Sequence, residues 1–191
     1  MNFLGHLYFS GDDQELMLHN LFGDFVRGSD LSRFPEDVQK GIRLHREIDT
    51  YMDHHPKVLE IAHELYEELP KVAGVALDLY FDHILAREWH RFSKMQLQEY
   101  LDHFYESVDL DRPYFDLPFQ LFMKKLVYYN WIGHYPKLEG LKKACRGVSS
   151  RISFPNKLGE AGGIFVKYEQ DIESVFWIYM EDAKKKFKIK S

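Results

Sequence analysis

Apolar residues recur at steps of three and four along almost the whole chain. They do so over Leu16 to Phe25, Val38 to Met52, Val58 to Leu69, Val75 to Trp89, Leu97 to Val108, Phe119 to Ile132, Leu138 to Val148 and Ile164 to Phe187. This is the period of helices that turn one face to a core, and the strict alternation of a half-buried strand never persists over a strand length. Breakers separate the segments at Gly28 to Pro35, Pro56, Pro70 with Gly74, Pro113 to Pro118, Gly133 to Pro136 and Ser149 to Gly163. Pro35 followed by Glu36 and Asp37 is a helix opening, because proline fits the first turn and carboxylates favour the positive end of the dipole. The pattern predicts an all-α, single-domain bundle of about seven or eight helices. Residues 1–191 contain no internal repeat, low-complexity tract or dividing linker.

With 45% hydrophobic and 16% aromatic residues, a chain of this length can fill a sizeable core, and 29% charged residues is an ordinary solvated surface. Disordered, collagenous and disulfide-stapled classes are excluded. The single Cys145 permits no internal disulfide and fits a reducing compartment. No apolar run approaches the roughly 20 residues of a membrane span. The opening MNFLGHLYFS has neither the basic region nor the cleavage site of a signal peptide. A soluble, cytoplasmic protein without a membrane partner is expected. The net charge of −5 is unevenly spread: residues 1–110 carry 21 Asp/Glu against 10 Lys/Arg, a balance of −11, and residues 111–191 carry 9 against 15, a balance of +6. Nine of the ten histidines lie at or before His103. Oxygen and imidazole ligands for a cation are therefore concentrated in the acidic part, although two halves that simply balance each other explain the counts as well. The lysines at 184, 185, 186, 188 and 190 read as a solvated helix end, and the basic residues are too dispersed for nucleic-acid binding.

Polar residues occupy inward faces in two places. Over 38–52, Val38, Ile42, His45, Asp49 and Met52 share one stripe, which puts a histidine and an aspartate one turn apart with Cβ atoms about 5–6 Å from each other. Over 75–89, Val75, Asp78, Asp82, Leu85 and Trp89 share a stripe with His83 beside it. Inward carboxylates are costly unless a metal or a cationic partner neutralises them. Asp24 adds a further acidic position, with an ion pair to Arg27 one turn away as the competing explanation. His6 is a polar residue among Phe3, Leu4, Leu7 and Tyr8. Together His6, Asp24, His45, Asp49, Asp78, Asp82 and His83 make an N/O ligand set without thiolate. Such a set suits Mn²⁺, Mg²⁺, Fe²⁺ or Zn²⁺ in hydrolytic chemistry better than a structural zinc.

His54 and His55 precede Pro56, where imidazole satisfies the last carbonyls of a helix, and Asp53 beside them can support the ligand set. His19, His63, His90, His103 and His134 read as surface or packing residues. Arg46 is the residue suited to hold a phosphate through its bidentate fork, with an ion pair to a nearby carboxylate as the alternative, and Arg27 is a second substrate-binding candidate. The chain lacks a glycine-rich phosphate loop, a G-x-S-x-G elbow, an HExxH and a CxxC motif.

The motifs MNFLGHL at the start, N-x-x-G-D-F-V-R-G at 20–28, G-I-x-x-H-R-x-I-D at 41–49, Asp53 with His55-Pro56, and L-D-x-x-x-D-H-x-L at 77–85 before Trp89 resemble those of the acyl carrier protein phosphodiesterase family. Agreement in order and spacing is close over the first 90 residues. It is looser at Trp131, Tyr135, the G-x-x-S-R segment at 147–151 and Tyr168. Gly5 stands where the family more often has alanine, and the stretch 149–163 departs more. The resemblance implies an all-helical fold related to the HD phosphohydrolases. It implies a divalent metal cofactor, with Mn²⁺ first and Mg²⁺ or Fe²⁺ next, and holo acyl carrier protein as substrate. The implied reaction removes 4′-phosphopantetheine and leaves the apo protein with a free serine. The match supports Asp24, His45, Asp49, Asp78, Asp82 and His83 as metal or catalytic residues, with His6 beside them.

The expected chemistry is metal-assisted attack of water on the phosphodiester phosphorus, with Arg46 and Arg27 against the nonbridging oxygens and a cluster carboxylate or histidine as general acid. Asp24→Ala and Asp82→Ala are expected to abolish turnover while leaving helical content nearly intact. Two alternatives are kept: an HD-type phosphohydrolase acting on a nucleotide or other small phosphoester, and a non-catalytic helical binding protein whose buried ion pairs need no metal. Because acyl carrier proteins are acidic, Lys124, Lys125, Lys142, Lys143 and Arg146 in the basic half are candidates for steering one in.

Overall fold

In the computed structural model, which describes residues 1–189, the alternation of apolar helical segments and breakers becomes nine α-helices with no strand among the described residues. They are α1 (Phe3–Phe9), α2 (Gln14–Phe22), α3 (Glu36–His54), α4 (Pro56–Glu64), α5 (Ala73–Arg87), α6 (Leu97–Ser107), α7 (Leu117–Tyr128), α8 (Leu138–Ser149) and α9 (Ala161–Lys186). Short 3₁₀ turns at Gly23–Phe25, Trp89–Arg91, Ile132–His134 and Leu158–Glu160 join some of them. The all-α architecture stands as expected, with one helix more than the periodicity predicted. The addition is α1, which is seven residues long and buried on nearly every face, so it has no polar side to give it a period. Lys190, one of the expected basic tail, lies outside the described residues.

Prolines start the helices that they were expected to delimit. Pro56 and Pro118 fall in the first turns of α4 and α7, where no N–H partner is lost, and Pro35 precedes α3. Asp116 caps α7 by accepting from the Phe119 N–H at 3.0 Å. Gly74 does not break the chain: it lies exposed in the first turn of α5.

α5 is the central helix. Eleven of its fifteen residues are buried, and it touches α1, α4, α8 and α9. Each fully buried Leu, Ile or Phe of such a helix contributes about 1.5–3 kcal/mol relative to exposure. Arg87 ties the end of α5 to α9 through Glu169 at 2.7 Å and Glu173. On the other side of the core α2 lies against α3 at very short range. Gly41 makes that approach feasible, because a Cβ there would stand 2.6 Å from the backbone carbonyl carbon of His19. This contact brings the two motifs N-x-x-G-D and H-R-x-I-D face to face. α1 runs between α5 and the α2–α3 pair and touches all three helices, so His6 is carried to the junction where the inward polar residues meet.

Candidate metal centre

His6 on α1 and His45 and Asp49 on α3 converge at the junction of these helices. One ligand atom from each lies within 4.8 Å of the others. His6 Nε2 is 3.1 Å from Asp49 Oδ1, and His45 Nε2 is 3.1 Å from Asp49 Oδ2. The two imidazoles stack, with centroids 4.2 Å apart and planes inclined by 18°. Both histidines are buried, and Asp49 is half exposed toward a cavity.

The state of His6 follows from its neighbours. Ser10 Oγ donates to the His6 carbonyl at 2.8 Å, so its oxygen accepts from Asn20 Nδ2 at 2.9 Å, and the same Nδ2 donates to the His6 carbonyl at 3.0 Å. That fixes Asn20 Oδ1 toward His6 Nδ1, 2.9 Å away, and makes Nδ1 the protonated nitrogen. Burial holds the His6 pKa below the usual histidine value against the opposing pull of Asp49. The neutral ring therefore points an Nε2 lone pair at two oxygens, Asp49 Oδ1 and the Met1 carbonyl 3.1 Å away. Three acceptors converge without a proton between them, an arrangement that a cation relieves. Asp49 is held well below the carboxylate range: burial works against it, but the hydrogen bond with His45 outweighs burial.

The cavity beside these groups has a volume of 420 Å³. Asp24 from the turn after α2, Asp53 from α3 and Asp78 from α5 line it with Asp49. Facing the four carboxylates are Lys71 and the α-ammonium of Met1, which is 2.7 Å from Asp78 Oδ1. The lining thus has an excess of two negative charges, the amount that one divalent ion neutralises. Burial, and after it the neighbouring Asp78 carboxylate, push the Asp53 pKa up. The donor set fits a divalent cation: two imidazole nitrogens and one carboxylate are a three-ligand set that leaves positions open for substrate.

Five of the residues singled out from the sequence, His6, Asp24, His45, Asp49 and Asp78, therefore line one cavity. The structure does not bring Asp82 and His83 to it. Asp82 is fully buried and accepts from the backbone N–H groups of Asn2 at 3.2 Å, Leu4 at 2.7 Å and Gly5 at 3.0 Å. It is the cap of α1, supplied from α5 because the Asn2 side chain makes no cap bond. Burial pushes its pKa up to about 7, against the Met1 ammonium and the Leu4 and Gly5 N–H groups. Asp82→Ala is therefore expected to loosen α1 and not to leave the helices intact. His83 lies on the next residue of α5, turned about 100° away on a helix of 3.6 residues per turn. Its Nδ1 is 2.6 Å from the Tyr135 carbonyl, and its ring meets the edge of Phe165.

Neither arginine faces the cavity. Arg46 Nη2 donates to the carbonyls of Val26 at 3.1 Å and Gly28 at 2.7 Å, which fastens the loop after Asp24 to α3. Arg27 is exposed, and no Asp24–Arg27 ion pair occurs among the described residues. His54 bonds the Thr50 carbonyl at 2.8 Å near the end of α3, as a terminal histidine was expected to.

The family model described as acyl carrier protein phosphodiesterase matches residues 1–183. The chain belongs to this family. It is 32% identical to an acyl carrier protein phosphodiesterase of Escherichia coli O6:H1, over 97% of this chain and 99% of the relative. It is 30% identical to one of Photorhabdus laumondii, over 97% and 96% of the two chains. A relative of the same name from Enterobacter sp. strain 638 is 30% identical over 93% and 92%. No solved structure matches. No helix among the described residues is long and apolar enough to cross a membrane.

Sequence reasoning missed three positions that build the site, two of them within the family motifs. Asn20 orients His6. Gly23 gives His45 its place: a Cβ at 23 would stand 2.5 Å from His45 Cβ and 2.6 Å from its Cγ. Asn20 and Gly23 are the N and G of N-x-x-G-D, so their spacing was visible while their contacts were not. Lys71, the lysine of the cavity, follows Pro70 in a turn that carries no motif.

Proposed function

We propose that the chain hydrolyses the phosphodiester between 4′-phosphopantetheine and the serine of holo acyl carrier protein. A divalent cation, Mn²⁺ in first place, is held by His6, His45 and Asp49, with Asp24 and Asp78 at the same cavity. The observation that carries this reading is the convergence of the His6 and His45 Nε2 atoms on the Asp49 carboxylate in a cavity with two uncompensated negative charges. An anionic diester is repelled from such a cavity unless a cation is present. When bound, a divalent ion supplies charge against the nonbridging oxygens and lowers the pKa of water. Asp49 holds the ion's side of the site ionised, and Asn20 keeps the His6 lone pair aimed at it. Water oxygen bonds to phosphorus and gives up one proton, the bond from phosphorus to the serine oxygen breaks, and one proton is returned to the serine oxygen to restore its hydroxyl.

The place of Arg46 in the scheme is supporting the Asp24 loop through the Val26 and Gly28 carbonyls. Lys124, Lys125, Lys143 and Arg146 are exposed on α7 and α8 and suit attraction of an acidic carrier protein, while Lys142 is paired with Glu139 at 2.7 Å. A cytoplasmic location fits the buried, unpaired Cys145.

The test is mass spectrometry of holo acyl carrier protein incubated with the protein and Mn²⁺. Loss of the phosphopantetheine mass with a free serine remaining supports the proposal. An unchanged carrier protein together with hydrolysis of a generic phosphodiester would favour the small-phosphoester alternative, and inactivity toward both would favour a binding protein.

A further inference from the structure

The acidic cavity adjoins a second chamber of 240 Å³, and the two share Asn2, Phe3 and Val148 as walls. The chamber lies between the turn after α7 and the face of α8. We propose that it seats the pantetheine arm of the substrate, an uncharged chain of amides, a hydroxyl and paired methyl groups, while the phosphodiester lies in the acidic cavity. This inference rests on the hydrolysis proposed above.

The linings of the two spaces differ in kind. The acidic cavity has four carboxylates, and the chamber has none: its charged lining residues are Lys143 and Arg151. Its apolar walls include Trp131, Ala144 and Val148. Walls of this kind with a few placed donors are what an uncharged, amide-bearing ligand needs. Asn2 Nδ2 donates to Tyr135 Oη at 3.1 Å, which leaves the tyrosine its own proton for an amide carbonyl. The Arg151 guanidinium stands 5.8 Å from the Trp131 ring centroid, so both bear on the same stretch of ligand.

The floor is open at Gly147 of α8, where a Cβ would meet no heavy atom within 4 Å. Gly140, two turns earlier on the same face, is different: a Cβ there would strike the His134 carbonyl, so that glycine serves packing. A large side chain at 147 therefore fills the chamber without entering the core, and the helical position accepts it.

The experiment compares binding of 4′-phosphopantetheine and of inorganic phosphate to the full-length, Mn²⁺-loaded protein by calorimetry, for wild type, Gly147→Phe, Gly147→Ala and Trp131→Ala. Gly147→Phe is expected to weaken 4′-phosphopantetheine at least tenfold and to leave phosphate unchanged, with Gly147→Ala close to wild type. Trp131 is half-buried, so Trp131→Ala supplies a second test that spares the core and is expected to lose part of the same increment. KM for holo carrier protein is expected to rise with Gly147→Phe while turnover of bis(4-nitrophenyl) phosphate, which has no arm, stays the same. Wild-type binding of 4′-phosphopantetheine no tighter than phosphate, or unchanged affinity in both a folded Gly147→Phe and Trp131→Ala, overturns the assignment. If wild type leaves holo carrier protein intact but binds 4′-phosphopantetheine in a way that Gly147→Phe removes, the hydrolysis reading fails and the chamber assignment stands.

Discussion

A single methyl group at position 23 tests the geometry of the centre. Gly23 has φ −52° and ψ −33°, a conformation open to any residue, so alanine there brings no backbone strain. Its Cβ would stand 2.5 Å from His45 Cβ, 2.6 Å from Cγ and 3.1 Å from Cδ2. Ordinary carbon contacts begin near 3.5 Å, so the imidazole or the turn must move by about 1 Å. Because His45 Cβ is fixed to α3, rotation of the ring alone relieves only part of the clash. Metal–ligand distances tolerate about 0.2 Å, so displacement on this scale breaks the convergence of His45 with His6 and Asp49. Disturbing the support of a ligand typically costs about 10–100-fold in metal affinity, and overpacking costs about 1–3 kcal/mol of stability. Gly23→Ala is therefore expected to bind Mn²⁺ at least tenfold more weakly by calorimetry, with retained helical circular dichroism and a lowered Tm. A folded Gly23→Ala protein with wild-type Mn²⁺ affinity would refute the placement of His45.

Other perturbations separate support from chemistry. Asp82→Ala strands the buried N–H groups of Leu4 and Gly5 and the part-buried one of Asn2, at about 1–3 kcal/mol for each buried group; a loss of at least about 2 kcal/mol in urea unfolding is expected, and a loss under about 1 kcal/mol would contradict its capping role. Asp49 is held below the unfolded carboxylate value, so its stabilisation is complete above about pH 4 and declines as the pH falls further. In metal-free protein Asp49→Asn is accordingly expected to flatten the acid side of the stability profile; equal acid slopes for the two proteins would count against the His–Asp pairing. If the basic half steers the carrier protein, KM rises with salt and on charge reversal at Lys124, Lys125, Lys143 or Arg146, and a KM insensitive to both returns those residues to solvated surface.

The helices were legible because their apolar periods are local, and His45 and Asp49 were legible because one turn of one helix places them together. α1 was not, since its burial leaves no polar stripe and its cap comes from Asp82, 80 residues beyond Asn2 in the sequence. Asp78 and Asp82 look equivalent by spacing, yet one meets the cavity and the other meets the start of α1, a difference that only the position of α1 decides. The same holds for Arg46. Proximity to His45 in sequence suggested a phosphate contact, while its side chain reaches carbonyls of the neighbouring loop. Gly23 and Asn20 act through contacts across α2 and α3, which no single-helix pattern contains.

The most direct measurement is an anomalous-difference map from crystals of the protein grown with Mn²⁺. A peak is predicted among His6 Nε2, His45 Nε2 and an Asp49 oxygen, within about 2.0–2.3 Å of each. Absence of a peak there at saturating Mn²⁺, or a peak at Asp82 and His83 instead, would contradict the account.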